Sequence, residues 1–322
     1  MNKSPNPRHY LTVSDLTSDE ILILISRALK LKKFHKSGQP YRPAMGKIMG
    51  LLFEKPSTRT RVSFEAAMLQ LGGNVTFLSS SDLQLKRGEP LKDTAKVLSR
   101  YLDCLVIRTF GQRIVDELAR WSNIPVINGL TDQHHPCQVL SDIMTVMEHK
   151  EKKMGDMKVA WVGDGNNVAH SWIQAASRLG FALALACPEG YQPDKEILSS
   201  AQAESGAPIM LTTDPQEAVE NSDVINTDVW ASMGHEKEAA KRREIFAPYQ
   251  INEALLGRAK TDAIVLHCLP AHRGEEISED VLEGPRSVVW EQAENKMHLQ
   301  KAVLEWAMRL EEAVSSPYAL NI

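Results

Sequence analysis

The segment Phe53-Glu54-Lys55-Pro56-Ser57-Thr58-Arg59-Thr60-Arg61 concentrates hydroxyl and guanidinium groups where an apolar run gives way to a helical pattern. A helix start leaves its first backbone N–H groups unsatisfied and carries partial positive charge, so Ser57, Thr58, Arg59 and Thr60 together could hold a phosphate. Taken alone, the same residues serve equally as a plain cap beside two solvated arginines. Other polar groups fall at comparable places. Arg108 ends a predicted strand, Gln84 and Lys86 lie in a polar loop, and His135-Pro136-Cys137-Gln138 opens a long helical pattern. Strand ends on one side of a parallel sheet share a crevice, so positions 57–60, 108 and 135–138 can converge. That convergence weakens the capping-only reading.

The second half carries a different chemistry. Gly163-Asp164-Gly165-Asn166-Asn167-Val168 follows a predicted strand and half-resembles a dinucleotide fingerprint, but Val168 stands where the third glycine belongs. No clear acidic ribose ligand appears before Glu189, so a dehydrogenase is a poor reading. The turn still needs its glycines for backbone reasons, and Asn167 is available for a ligand. Asp228-Val229-Trp230-Ala231-Ser232-Met233-Gly234 and His267-Cys268-Leu269-Pro270 each follow a further strand. An acid, a thiol and an amide at three strand ends suit a polar, cationic, amine-bearing ligand. The plainer alternatives are a turn cap for Asp228 and a small buried apolar residue for Cys268.

The elements that must position these groups alternate as short apolar run, turn and amphipathic stretch, the rhythm of α/β domains with mostly parallel sheets. Thr17 with Glu20 predicts a capped first helix, whose apolar face Ile21, Leu24, Ile25, Ala28 and Leu29 runs until Gly38. Strands are predicted at Ile48–Phe53, Val75–Leu78, Cys104–Ile107 and Pro125–Ile127, with helical stretches at Arg61–Leu71 and Lys92–Tyr101. Pro136–Lys150 is predicted as a bridging helix between a domain over 1–150 and another over 151–322. In the second, strands are predicted at Lys158–Val162, Ala182–Ala186, Ile209–Leu211, Val224–Asn226, Ile264–Leu266 and Ser287–Val289, with a helix at Asn167–Leu179. A last amphipathic helix, about 293–310, is long enough to pack back on the first domain.

Composition narrows the classes. A net charge of -4 and the lack of a long Lys/Arg block leave no overall basic field for nucleic acid. Any anionic ligand must therefore be caught by a local site. Cys104, Cys137, Cys187 and Cys268 are far apart without CxxC pairing, which fits a reducing compartment and predicts a cytoplasmic protein. No apolar run reaches the roughly 18 residues of a membrane span.

Ser-Thr-Arg-Thr-Arg, His-Pro-Cys-Gln, Asp-x-x-x-Ser-Met-Gly and His-Cys-Leu-Pro occur here in the order and approximate spacing of the ornithine carbamoyltransferases, within the aspartate/ornithine transcarbamylase superfamily. The chain resembles that family over essentially its whole length, from Arg8-His9-Tyr10-Leu11 to the last helix. The resemblance implies transfer of the carbamoyl group of carbamoyl phosphate to the side-chain amine of L-ornithine, giving L-citrulline and phosphate for arginine metabolism. By the same resemblance Ser57, Thr58, Arg59 and Thr60 hold the phosphate with Arg108 and Gln138, while Thr60, Arg108 and His135 donate to the carbamoyl oxygen. Asn167, Asp228, Ser232 and Met233 match ornithine-binding positions, and Cys268 and Leu269 match the segment between the substrates. Gln84 matches a loop lent to the neighbouring subunit's site, which implies a homotrimer or an assembly of trimers. Lys296 falls where many relatives carry an arginine near the phosphate; it keeps the charge and loses the planar fork.

A lysine-like amine has a pKa near ~10.4, so only about one in 10³ is the neutral nucleophile at pH 7.5, a deficit of about 4 kcal/mol. Asp228 and Cys268 are the groups placed to take or relay that proton. The electrophile arrives already activated as a mixed anhydride, so neither metal nor cofactor is expected, and His267, His272 and His298 lack metal-ligand spacing. Rival expectations are another acceptor (putrescine, N-acetylornithine or aspartate) or a non-catalytic ligand-binding relative.

Overall fold

A computed structural model of the chain describes residues 6–79, 88–204, 206–231 and 238–310. It divides into two compact units, one made of 1–140 with 295–322 and the other of 141–294.

In the first unit, strands β1 (Ile48–Phe53), β2 (Asn74–Ser79), β3 (Cys104–Arg108) and β4 (Val126–Leu130) form a parallel sheet in the order β2-β1-β3-β4. Their helices are α1 (Ser18–Lys36), α2 (Arg59–Gln70), α3 (Leu91–Leu98), α4 (Gln112–Trp121) and α5 (Pro136–His149), whose first residues lie in this unit. The inner strands β1 and β3 read as largely apolar, buried runs because helices cover both faces of such a sheet, whereas the edge strand β2 is partly exposed. Leu52, Leu105, Ile107 and Val126 pack with Val115 and Leu118 of α4. The capping box that opens α1 forms as the sequence predicts, with Thr17 accepting from the Glu20 N–H and the Glu20 carboxylate accepting from the Thr17 N–H.

The second unit holds β5 (Lys158–Val162), β6 (Ala182–Ala186), β7 (Ile209–Thr212), β8 (Val224–Thr227) and β9 (Ile264–His267), parallel and ordered β7-β6-β5-β8-β9. Helices α6 (Asn167–Leu179), α7 (Lys195–Glu204), α8 (Pro215–Val219), α9 (Ala239–Phe246), α10 (Glu253–Leu256) and α11 (Glu279–Leu282) connect them. Val162, Ile225, Val265, Val281 and Val289 belong to its core. The final helix, α12 (Val289–Met308), starts in this unit and ends in the first.

The predicted strand at Ser287–Val289 is a correction. Ser287 makes only an isolated bridge to Val265, and Val289 already begins α12. The Val288 carbonyl accepts from the Gln292 N–H at 2.9 Å, so a helical bond takes over after one residue of pairing. The helix therefore starts at Val289, four residues before the expected 293.

Strand order fixes where the loops meet. In the first sheet the chain runs outward from β1 to β2, then returns to the other side of β1 with β3, so the crevice opens beyond the C-terminal ends of β1 and β3. In the second sheet the reversal lies between β5 and β8.

Candidate active site

At the first reversal point, β1 leads through Glu54–Thr58 into α2 while β3 ends at Arg108. Arg108 is aimed by a bulge. Ile107 pairs with Asn128 and Arg108 with Leu130, so Gly129 is the extra residue. A Cβ on Gly129 would lie 3.1 Å from the Ile107 carbonyl oxygen, which leaves room there for glycine and little more. The loop after β1 is tied on both sides. The Glu54 N–H donates to the Arg108 carbonyl at 2.8 Å, the Thr109 hydroxyl donates to the Glu54 carboxylate, and Lys55 pairs with Asp132.

Ser57 does act as a cap, since its hydroxyl accepts from the Thr60 N–H at 3.2 Å. Thr58 and Arg59 are exposed at the start of α2, and Thr60 is buried. Arg61 is committed elsewhere: it pairs with Glu65 at 2.9 Å and its guanidinium lies 3.6 Å from the Phe77 ring centroid. Of the two arginines in the motif, only Arg59 remains available to a phosphate from the start of the helix.

Lys296 of α12 completes the cluster. Its ammonium donates to Gln138 Oε1 at 2.9 Å and to Thr60 Oγ1 at 3.2 Å. Thr60, Arg108, His135, Gln138 and Lys296 are each at most 5% exposed. His135 is set by Thr131, whose hydroxyl accepts from the His134 N–H at 3.0 Å, and by Pro136, which starts α5 where its missing N–H costs nothing. Burial, with added repulsion from Lys296 and Arg108, holds the His135 pKa well below the usual histidine value. The ring is therefore neutral at physiological pH, a single N–H donor rather than a third cation. The neighbouring Cys137 thiol is pushed up to about 12 by burial and is inert.

At the second reversal point the loop after β5 meets the loop after β8. Gly163 has φ +138°, and a Cβ on Gly165 would lie 2.2 Å from the Pro193 nitrogen, so both positions require glycine for the backbone. Asn166 caps α6, accepting from the Val168 and Ala169 N–H groups at 2.9 and 3.2 Å. Its amide nitrogen donates to Asp228 Oδ2 at 2.9 Å. On the other oxygen, Asp228 Oδ1 accepts from its neighbour's Val229 N–H at 2.8 Å and from the Cys268 thiol at 3.0 Å. The carboxylate is thus oriented from three sides. Cys268 is half-buried, whereas Cys104, Cys137 and Cys187 are fully buried.

Cys268 and Leu269 sit at the end of β9, where Leu269 has φ +58°, an uncommon left-handed conformation for a branched side chain. His267 holds this turn. Its Nδ1 accepts from the Leu269 N–H at 2.8 Å, which leaves the proton on Nε2 to donate to Glu276 Oε1 at 2.9 Å. Asn167 is the first residue of α6.

The structure thus gathers Thr60, Gln138 and Lys296 around one ammonium, with Arg108 and His135 close by, and places Asp228 with Cys268. Gln84, Ser232 and Met233 lie outside the described residues. Sequence reasoning overlooked Asn166 and Glu276. Asn166 was detectable as the polar residue just before the helical run at 167–179, the usual position of a cap. Glu276 carried no such signal, because a glutamate in a loop with neighbouring glutamates reads as solvated surface.

The family model for the carbamoyl-P binding domain of aspartate/ornithine carbamoyltransferase matches residues 8–148, and that for the Asp/Orn binding domain matches 155–307. The chain is 61% identical to an ornithine carbamoyltransferase of Desulfotalea psychrophila, over 93% of this chain and 98% of the relative. It is 53% identical to one of Geobacter sulfurreducens, over 94% and 99%. Among solved structures, the ornithine carbamoyltransferase of Pyrococcus furiosus superposes with a TM-score of 0.89 at 50% identity, covering 94% of this chain and 97% of that one. The anabolic ornithine carbamoyltransferase of Campylobacter jejuni superposes with a TM-score of 0.88 at 42% identity, covering 95% and 99%. Two sheets with reactive loops at their reversal points, matched end to end by both family models, make this chain a member of the aspartate/ornithine carbamoyltransferase family.

Proposed function

We propose that the protein transfers the carbamoyl group of carbamoyl phosphate to the side-chain amine of L-ornithine, releasing L-citrulline and phosphate. The observation that carries the reading is the buried cluster of Lys296, Thr60 and Gln138 with Arg108 and His135, polar and cationic where a dianion must be held. Relatives at 53–61% identity carry the name of this reaction, which supports ornithine as the acceptor.

The first domain, 1–150 in the expected division, carries the donor, and the second, 151–322, carries the acceptor, with the C-terminal helix serving the first. Ser57, Thr58, Arg59 and Thr60 hold the phosphate with Arg108, Gln138 and Lys296; Gln84 contributes from a neighbouring subunit of a homotrimer. Thr60, Arg108 and His135 face the carbamoyl oxygen. Amine attack places negative charge on that oxygen, and prearranged donors are worth several kcal/mol there. A neutral His135 suits the role, since it donates one hydrogen bond without itself losing a proton. Asn167, Asp228, Ser232 and Met233 hold ornithine. The Asp228 carboxylate draws in the cationic acceptor, and Cys268 with Leu269 closes the space between the substrates. With its S–H directed at Asp228, Cys268 is placed to relay the proton that the attacking nitrogen must lose. We place the reaction in arginine biosynthesis and in the cytoplasm; no described helix is long and apolar enough to cross a membrane.

A panel of ornithine, N-acetylornithine, putrescine and aspartate with carbamoyl phosphate tests the reading directly. Ornithine should give the highest kcat/KM by orders of magnitude. Faster turnover of any other amine, or binding of carbamoyl phosphate without citrulline formation, would overturn it. Sedimentation equilibrium tests the trimer.

A further inference from the structure

We infer that His272, Glu275 and Glu276 form a divalent-cation site, suited to Zn2+, in the turn that follows the Cys268 loop. The site lies beside the transfer chemistry, since Glu276 also bonds the His267 that holds the Cys268 turn. The histidine spacing of the sequence gives no hint of it, because two of its three ligands are carboxylates.

Glu276 is fully buried. Its Oε1 is satisfied twice, by His267 Nε2–H at 2.9 Å and by the His272 backbone N–H at 2.6 Å. Its Oε2 is equally buried and has no hydrogen-bond partner among the described residues. Buried carboxylate oxygens rarely go unpaired, since losing water without replacement is costly. The atom facing this bare oxygen is His272 Nδ1, at 3.8 Å. Glu275 Oε2 lies the same 3.8 Å from that nitrogen, while Glu275 Oε1 is occupied by Arg243 at 2.8 Å. One donor atom from each of the three residues lies within 4.8 Å of the others.

Zinc bound at about 2.1 Å in tetrahedral geometry sets its ligand atoms about 3.4 Å apart. The two 3.8 Å gaps therefore need to close by a few tenths of an ångström, and the two carboxylate oxygens, within 4.8 Å of each other, by up to about 1.4 Å. His272 and Glu275 can supply that movement, their side chains being 51% and 29% exposed, while Glu276 stays fixed by its two donors. The turn also sets the geometry: the Glu275 N–H donates to the His272 carbonyl at 2.9 Å, and Gly274 has φ +86°. One imidazole with two carboxylates selects zinc or its neighbours over calcium or magnesium, which favour all-oxygen cages, and leaves a fourth position for water. Without a cation, the competing arrangement is a His272 ring that merely lies between the two glutamates.

The test uses the full-length protein carrying Cys268→Ser, which removes the thiol of the separate Asp228, His267 and Cys268 group as a competing zinc ligand. Zn2+ titration by calorimetry should find one site per chain. That affinity should fall at least tenfold on adding His272→Ala, and likewise on adding Glu275→Gln. Both are surface changes whose folding circular dichroism can verify. A crystal soaked in Zn2+ should show an anomalous peak at the zinc edge between His272 and Glu276. Zinc affinity indifferent to His272→Ala, or no zinc bound by the Cys268→Ser protein, would overturn the assignment.

Discussion

Replacing Asn166 separates two jobs that one side chain performs. Its oxygen caps α6 through the Val168 and Ala169 N–H groups, and its amide nitrogen holds Asp228 Oδ2 at 2.9 Å. Loss of a cap costs about 1 kcal/mol. Loss of this part-buried hydrogen bond to a charged group costs roughly 1.5–3 kcal/mol. Asn166→Ala loses both and should destabilise the second unit by about 3 kcal/mol. Asn166→Ser keeps an acceptor for the cap but is too short to reach Asp228, so it should recover about 1 kcal/mol of that. Both variants leave Asp228 less well aimed, so both should lower kcat/KM for ornithine by about tenfold or more, each tenfold corresponding to about 1.4 kcal/mol. Urea unfolding followed by tryptophan fluorescence reads the stability, because Trp161 lies in the same unit and donates to the Asp164 carbonyl at 2.9 Å. Steady-state assays read the rate. A serine variant with native kinetics, or an alanine variant within about 0.5 kcal/mol of the parent, would show that Asn166 neither orients Asp228 nor caps the helix in any way that matters.

Lys296→Met should weaken phosphate and carbamoyl phosphate binding by roughly 10- to 100-fold, the loss of one charge-assisted donor, with Lys296→Arg recovering part of it; calorimetry with inorganic phosphate checks this, and unchanged affinity would remove Lys296 from the donor site. Cys268→Ala should leave phosphate binding within about twofold while lowering kcat by an order of magnitude or more, as expected for a proton-relay group; unchanged turnover would exclude the thiol. Arg59→Ala should raise KM for carbamoyl phosphate at least about tenfold, the loss of a charge-assisted bond, whereas Arg61→Ala, already committed to Glu65 and Phe77, should change it less than threefold, as about 0.5 kcal/mol would; equal effects would contradict the geometry of α2. His135 keeps its neutral form in the fold, so its contribution to stability is complete above its unfolded pKa of about 6.5 and is lost as pH falls below that value, by at most about 1.4 kcal/mol per pH unit. Urea midpoints at pH 7.5, 6.5 and 5.5 should therefore fall less steeply for His135→Gln, and parallel slopes would refute the depressed pKa.

Strands β1, β5 and β6 were readable because each is a largely buried apolar run, and they have the bounds their sequences predict. Helix starts with a chemical marker were equally readable: Thr17 with Glu20 for α1 and Pro136 for α5. The start of α12 was not, since Val289-Trp290-Glu291-Gln292 suits strand or helix and only the Val288–Gln292 bond decides. For the site, residue type and strand-end position brought out Arg108, His135 and Asp228. They could not show that Arg61 turns to Glu65 and Phe77, because a guanidinium reaches either way from its backbone position. Nor could they expose the buried Glu276, whose meaning depends on a histidine ring nine positions upstream and on burial.

Lys296 meets Thr60 across 236 positions of chain. The first unit is therefore not finished when its own sheet has been synthesised, since residues 295 onward still have to arrive. On the ribosome, the ammonium that closes the cluster emerges only after the whole second unit has been translated. A nascent first half thus lacks the Lys296 partner of Thr60 and Gln138, and the cluster can form only once residue 296 has been made.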